Sequence, residues 1–382
     1  MSLLEKLLYD AVQQEASDIY IIAGMPATFR ANGLIRQTDS RKLMPPDTQE
    51  LLEDVYRLAK DRSMEQLLET GDDDFSFSIK ALSRFRVSAF RQRGSLSAVI
   101  RVIRFSLPDH RELGIPEQVM ELASIRQGMV LVAGTAGSGK STTLACIIDR
   151  INHQRHSHII TLEDPIEYLH RHDRSIVTQR EIGPDTTSFV KALRAALRQS
   201  PDIILLGEMR DYETIEVAMT AAETGNLLFS TLHTMGATST VERIIDVFPA
   251  NQQRQISVQL ASVLRAVVSQ QLLPSVDGGL VPAFEIFTVT PAARTMIREG
   301  KLHQLDGLLY GAAREGMLSM DQSILELYRA GRITRDTALT YSINPEMLAK
   351  KTVISPHFIS KRTARWPSFS RYFNILRNIT AP

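Results

Sequence analysis

Two hydrophobic rhythms divide the chain. Over the first hundred or so residues apolar positions alternate with polar ones in short runs. Ile19-Tyr-Ile-Ile22 precedes a turn at Gly24-Met-Pro26, and Thr28-Phe-Arg-Ala31 leads into Asn32-Gly33, a strong hairpin signal. Phe75-Ser-Phe-Ser-Ile79, Arg84-Phe-Arg-Val-Ser-Ala-Phe90 and Ser97-Ala-Val-Ile-Arg-Val-Ile103 alternate as neighbouring strands of an antiparallel sheet do. The chain opens on an amphipathic helical pattern, and residues 49–68 also read as helical. Together these predict a small α+β domain over residues 1–107, with a linker over 108–115.

From about Pro116 the rhythm becomes strand, loop, helix. Continuous apolar runs at 129–133, 158–162, 203–206 and 227–231 are separated by amphipathic helices, the pattern of a parallel sheet covered on both faces. After Pro249 the pattern reads as largely helical to about residue 348. These segments predict an α/β domain over residues 116–350, with a separate tail over 351–382. No internal repeat or low-complexity segment interrupts either part.

The first of the apolar runs carries the candidate chemistry. Met129-Val-Leu-Val-Ala133 passes directly into Gly134, Thr135, Ala136, Gly137, Ser138, Gly139, Lys140 and Ser141, which fill the pattern GxxxxGK[ST] at every fixed position. A helical pattern follows, starting with Ser141 and Thr142. Strand, glycine loop and helix is the context in which backbone N–H groups and a helix N-terminus converge on phosphates. In that arrangement Lys140 reaches the β- and γ-phosphates and the Ser141 hydroxyl helps hold Mg2+. The expected ligands are therefore ATP and Mg2+.

Binding alone does not hydrolyse a nucleotide; carboxylates must position the metal and the water. Two acidic clusters end predicted strands, the place where α/β sheets hold their ligands. One is Leu162-Glu-Asp-Pro-Ile-Glu-Tyr168, with Glu163 and Glu167. The other is Asp202-Ile-Ile-Leu-Leu-Gly-Glu208, a Walker B-like strand ending in a carboxylate. A third strand ends at His233, a candidate sensor of the γ-phosphate. Each cluster alone reads equally as a solvated acidic turn, and a lone histidine is more often structural; the phosphate loop beside them shifts the weight to chemistry.

Composition narrows the setting. Within the 382 residues no apolar run reaches the ~18 residues a membrane span requires, and the start does not look like a signal peptide. The single cysteine, Cys146, excludes internal disulfides and cysteine-rich zinc sites, and is expected in the core. These features predict a cytoplasmic protein. From Lys350 onward there are seven Lys/Arg and no Asp/Glu, leaving 37 basic against 43 acidic residues in the rest. An acidic body argues against a nucleic-acid partner. The basic tail, with Trp366 and several other aromatics, is expected to be a poorly ordered extension, with a membrane-surface or partner-binding segment as the alternative.

Taken in order, the phosphate loop, the aspartate box at 162–168, Val177-Thr-Gln-Arg-Glu-Ile182, the Walker B box and the histidine box Ser230-Thr-Leu-His-Thr234 resemble the twitching-motility retraction ATPases of type IV pili. That family lies within the secretion ATPase superfamily, and the likeness runs from about Ala16 to Leu348. Arg84-Phe-Arg-Val-Ser-Ala-Phe90 and Gly316-Met-Leu-Ser-Met-Asp-Gln322 match family segments outside the catalytic boxes, and 292–300 resembles the family's C-terminal helix signature but departs at its start, where an isoleucine is usual after the first alanine. The resemblance implies a homohexameric ring whose subunits join an N-terminal PAS-like domain to a C-terminal RecA-like P-loop ATPase domain, with ATP between the two. It also implies that Glu163 acts on the attacking water, that Glu208 holds Mg2+ through water, and that Glu167 and His233 complete the polar shell; the roles of Glu163 and Glu208 are interchangeable on sequence alone. Arg86 and Arg101 match the family's N-terminal-domain arginines opposite the triphosphate, with Arg84 and Arg104 as neighbours that could substitute. The implied setting is the inner face of the cytoplasmic membrane, acting through an integral inner-membrane platform protein and only indirectly on pilin. Assembly motors of the superfamily usually carry an extra N-terminal domain and a four-cysteine zinc module, neither of which this sequence shows. An accessory retraction ATPase, an assembly or secretion ATPase, a non-catalytic ATP-binding adaptor and a nucleic-acid motor on a RecA-like core are the competing readings.

Overall fold

A computed structural model describes residues 2–31, 34–38, 41–80, 82–103, 107–311 and 316–352. The Asn32-Gly33 turn, Arg104 and residues 353–382 of the tail lie outside the described residues. The chain divides into two compact units, residues Met1–Leu107 with Glu167–Leu169, and Pro108–Ile166 with the described residues from His170 onward.

The first unit contains helix α1 (Leu3–Gln13), strands β1 (Ala16–Ile21), β2 (Thr28–Ala31) and β3 (Leu34–Gln37), helices α2 (Pro45–Leu58) and α3 (Glu65–Thr70), and strands β4 (Asp72–Ile79), β5 (Ser83–Gln92) and β6 (Ser95–Ile103). The strands form one antiparallel sheet in the order β3-β2-β1-β6-β5-β4. Alternation places Phe75, Phe77, Phe85, Val87, Ala98 and Ile100 on the buried face, where α1 packs on β1, α2 on β6 and α3 on β4. The helix expected over 49–68 is two helices. Lys60 and Asp61 take positive φ between them, and Arg62 reaches across to the buried Asp73 carboxylate at 2.8 Å, which also accepts a hydrogen bond from Tyr56 Oη. A continuous helix would carry that guanidinium away from its partner.

The second unit begins with a turn-rich stretch and a single helical turn, α4 (Glu117–Met120). Then come β7 (Gly128–Ala133), α5 (Lys140–Gln154), β8 (His158–Glu163), β9 (Ile176–Glu181), α6 (Phe189–Ala196), β10 (Ile203–Leu206), α7 (Tyr212–Glu223), β11 (Leu227–Leu232), α8 (Ala237–Asp246) and α9 (Ala250–Val263). They are followed by β12 (Leu264–Pro274), β13 (Leu280–Thr288), α10 (Pro291–Arg298), α11 (Leu305–Gly311), α12 (Met320–Arg329), α13 (Arg335–Tyr341) and α14 (Pro345–Thr352). Seven strands form one sheet in the order β13-β12-β7-β11-β10-β8-β9, parallel except for the β12–β13 pair.

That pair corrects the expectation of helix after Pro249. β12 and β13 form a long hairpin in unbroken register from Ala266↔Thr288 to Pro274↔Leu280. β12 is buried at nearly every position on both faces, so its residues show no alternation. A short apolar run of that kind is indistinguishable from a buried helix by period. β9 was also absent from the predicted strands; it lies at the sheet margin and carries Thr178, Gln179 and Arg180, too polar to stand out.

Candidate functional site

The strand order brings the predicted boxes to one edge. β7, β11, β10 and β8 are consecutive parallel neighbours, paired from Leu227↔Gly128 to Leu232↔Ala133, from Ile203↔Leu227 to Leu206↔Ser230, and from Ile203↔Ile159 to Leu206↔Leu162. The phosphate loop leaves β7, His233 follows β11, Glu208 follows β10 and Glu163 ends β8. Four chain segments separated by up to a hundred residues thus terminate at adjacent C-terminal strand ends, where the chain reverses into loops and backbone groups are open to a ligand.

Local backbone chemistry shapes the loop itself. Gly134 has φ 150°, and a Cβ there would collide with the Gln270 carbonyl oxygen of β12 and the Ser138 hydroxyl. Only glycine lets the strand enter the loop so close to its neighbour. Gly134 N–H also donates to the Leu232 carbonyl at 3.2 Å, tying the loop's first residue to the end of β11. Gly139 adopts φ 89° at the start of α5, and no side chain caps that helix, so its first-turn N–H groups are available to an anion. Thr135 and Ala136 form the exposed crown, with Gly137 half-buried beneath them. Lys140 is 7 % exposed, and its ammonium donates to the carbonyls of Gly134 at 2.9 Å and Thr135 at 2.8 Å. The Ser138 hydroxyl is buried with no hydrogen-bond partner among the described residues. A cradle that a Cβ would fill, an unpartnered buried hydroxyl and a buried ammonium fit a polyphosphate. Ser141 is half-buried in the first turn of α5, and Thr142 is buried behind it.

The carboxylates are held in two ways. Glu163 accepts hydrogen bonds at Oε1 from Thr161 Oγ1 (2.6 Å) and Gln179 Nε2 (3.2 Å). The pairing Thr161↔Gln179 puts both donors side by side on β8 and β9. Glu208 Oε1 lies 2.7 Å from Arg210 Nε, and its Oε2 lies 3.4 Å from His233 Nε2. Arg210 and His233 are largely exposed, so these contacts orient the carboxylate and add little stability. Gly207 brings the two acidic ends together: a Cβ on it would sit 3.2 Å from the Leu162 carbonyl oxygen and 3.5 Å from Glu163 Cα. The donor set fits a cation bound mostly through phosphates and water: one hydroxyl from Ser141 and one carboxylate from Glu208. Among the described residues no group of three or more His, Cys, Asp or Glu side chains forms a metal cluster. That economy suits Mg2+, which retains waters and shares substrate phosphates.

Glu167 is half-buried on the loop beyond the cis Asp164–Pro165 bond. Arg86 and Arg101 are direct cross-strand neighbours on β5 and β6 in the first unit, and Arg101 Nε lies 3.1 Å from the buried Asp18 carboxylate. Cys146 is buried in α5, and burial pushes its thiol up to about 12. A cavity of about 860 Å3 is lined by Phe284, Leu327 and Leu348 and by no phosphate-loop residue; phosphates are gripped by open backbone N–H groups, not by an apolar chamber, so the loop remains the candidate site.

Sequence reading missed three supporting residues. Gln179 bonds Glu163, Arg210 pairs with Glu208, and Gln270 accepts a hydrogen bond from Thr143 Oγ1 of α5 at 2.7 Å. Arg210 follows the Walker B carboxylate by two residues and was open to suspicion. Gln179 and Gln270 are legible only once β9 and β12 are known to flank the site.

The type II/IV secretion system protein family matches over residues 1–299. The chain belongs to that family. The type IV pilus retraction ATPase PilT of Pseudomonas aeruginosa is 41 % identical over 346 residues, covering 91 % of this chain and 99 % of the relative. The type IV pilus ATPase PilU of the same organism is 40 % identical over 339 residues, covering 88 % of each. Among solved structures, the pilus retraction motor PilT with bound ADP superposes with a TM-score of 0.83 at 44 % identity, over 92 % of this chain and 99 % of that one. The fold of this secretion-family member is therefore the two-domain α/β ATPase architecture that the sequence predicted, with its RecA-like core. Among the described residues no helix is long and apolar enough to cross a membrane.

Proposed function

We propose that the chain is a Mg2+-dependent ATPase that powers retraction of a type IV pilus, and with it twitching motility. The observation that carries the reading is the convergence of a phosphate loop, the Glu208–His233 pair and Glu163 on adjacent strand ends, in a chain that spans nearly the whole length of a retraction ATPase.

In this reading the loop's N–H groups and the Lys140 ammonium bind the β- and γ-phosphates, exchanging the loop carbonyls that Lys140 now contacts for phosphate oxygens. Bound Mg2+ supplies charge neutralisation at those phosphates, with Ser141 and Glu208 as its protein partners. Glu163, fixed by Thr161 and Gln179, orients the attacking water and takes up its proton. His233, in contact with Glu208, registers the loss of the γ-phosphate. Arg86 and Arg101 are our candidates for the positive charge that phosphoryl transfer needs, an effect worth ~10³ or more in rate in related chemistry. The working form is a homohexamer at the inner face of the cytoplasmic membrane, engaging the inner-membrane platform protein and acting on pilin through it.

The test combines biochemistry and genetics. Purified chain should release phosphate from ATP only with Mg2+, and Lys140→Ala or Glu163→Gln should abolish that release. A strain lacking the chain should carry more surface pili and lose surface motility; bald cells would mean assembly instead. The near-equal identity to PilU supports a second reading, an accessory retraction ATPase. Expression in a Pseudomonas aeruginosa strain lacking PilT separates the two, since a self-sufficient motor restores twitching there and an accessory one does not.

A further inference from the structure

Glu285 sits in the middle of β13, 3 % exposed, between Phe284, Ile286 and Phe287. A carboxylate in such surroundings is costly unless donors hold it. One backbone N–H does so: Ala237, the first residue of α8, donates to Oε1 at 2.9 Å. The backbone N–H of Met320, the first residue of α12, also favours the charged form. One side chain thus meets the starts of two ten-residue helices, and each helix end favours its negative charge. Burial raises the Glu285 pKa and the two N–H groups oppose that shift.

The clamp bears on the histidine box. The residue preceding α8 is Gly236, which offers no side-chain cap. Its N–H donates to Ser269 Oγ of β12 at 3.0 Å, and a Cβ on it would come within 3.6 Å of Glu285 Oε1. Both ends of this anchorage therefore lie on the β12–β13 hairpin. Three residues before Gly236 stands His233, 3.4 Å from Glu208. Thr234 Oγ1 is bonded to Thr240 Oγ1 at 2.8 Å, so the loop from His233 into α8 has little freedom once Ala237 is fixed.

We propose that Glu285 is a positioning residue for ATP hydrolysis, setting the approach of His233 to Glu208 through the start of α8 and linking that contact to α12. The inference rests on the reading that His233 and Glu208 act in turnover. A carboxylate suits the task because its charge as well as its oxygen holds the start of α8. Glutamine keeps the shape but removes that charge and can turn an amide N–H2 toward the Ala237 N–H.

Steady-state ATPase measurements on the full chain test this with His233→Ala, Glu285→Gln and the double variant. His233→Ala should lower kcat at least tenfold. Glu285→Gln should lower kcat about tenfold with KM for ATP within about twofold, the pattern of a misplaced group and not of lost binding. In the His233→Ala background the same change should cost less than about twofold, because the group being positioned is gone. Ser269→Ala, which cuts the other anchor, should give a smaller loss that is likewise absorbed by His233→Ala; it carries the test if Glu285→Gln does not fold. Equal fractional losses of kcat in both backgrounds would mark Glu285 as merely structural and overturn the proposal. An unchanged kcat in His233→Ala alone would instead remove His233 from turnover and overturn the proposal with it, leaving the ATPase reading to the Lys140 and Glu163 variants.

Discussion

Strands β4 and β5 of the six-stranded sheet alternate buried and accessible positions, whereas β7, β10 and β11 of the seven-stranded sheet are buried at every position. The first sheet covers one face with helices and leaves the other to polar residues. On that other face cross-strand pairing aligns Arg30, the buried Asp18, Arg101 and Arg86 in a row. The strands of the second sheet's centre are buried on both faces, so its polar chemistry is confined to the strand ends. The difference teaches where each unit can act: the first through a charged sheet face, the second through an edge formed by the loops after β7, β8, β10 and β11.

That contrast can be broken most severely at the edge. Lys140→Ala should reduce ATP hydrolysis ~10³-fold or more, since the buried ammonium has no substitute in the loop; residual turnover within tenfold of the parent would remove the phosphate loop from the chemistry. Glu163→Gln should cost about 10²-fold or more in kcat while leaving nucleotide affinity within about twofold, a split that titration with a fluorescent ATP analogue would check. Cores come next. Phe229→Ala in β11 and Phe85→Ala in β5, both fully buried, should each destabilise by about 3–5 kcal/mol. Calorimetry should show the loss mainly in the transition of the unit that carries the change; a uniform shift of all transitions would mean that the units do not melt separately.

A pH limb sharpens the comparison further. Burial pushes the His170 imidazole in the second unit down to about 4, with the nearby His153 adding to the effect. The folded protein keeps this group neutral while the unfolded chain protonates it near 6.5. Its contribution is therefore complete above about pH 6.5 and lost progressively as the pH falls to about 4, by up to about 3 kcal/mol. Urea unfolding of His170→Gln should show a flatter acid limb than the parent; identical limbs would refute the assignment. The smallest effect is expected at the margin of the first sheet. Ile35 on β3 is largely exposed, and Ile35→Lys should change the stability of the isolated chain by less than about 0.5 kcal/mol, as read by the urea midpoint.

The two units were also unequally legible. β4, β5 and β6 were readable because alternation is itself a statement about burial, and the 129–133, 158–162, 203–206 and 227–231 strands because turn signals and helices bracket them. β12 was not, because a strand buried on both faces has no period to detect, and Gln270 stayed hidden with it. At the candidate site, the glycine-loop motif pointed to Lys140, and Glu163, Glu208 and His233 stood out because each follows or closes an apolar run. What orients them could not be read the same way: Gln179 acts across a strand pairing and Glu285 across a hairpin. Such partners are set by sheet order, which spacing along the chain does not encode.

The sole thiol of this protein, Cys146, is enclosed in the helix behind the phosphate loop and resists ionisation. Maleimide dyes and spin labels should therefore pass it by under native conditions. A cysteine placed on any chosen surface would be the single point of attachment, without first re-engineering the parent, and would report local movements by its fluorescence when nucleotide is added.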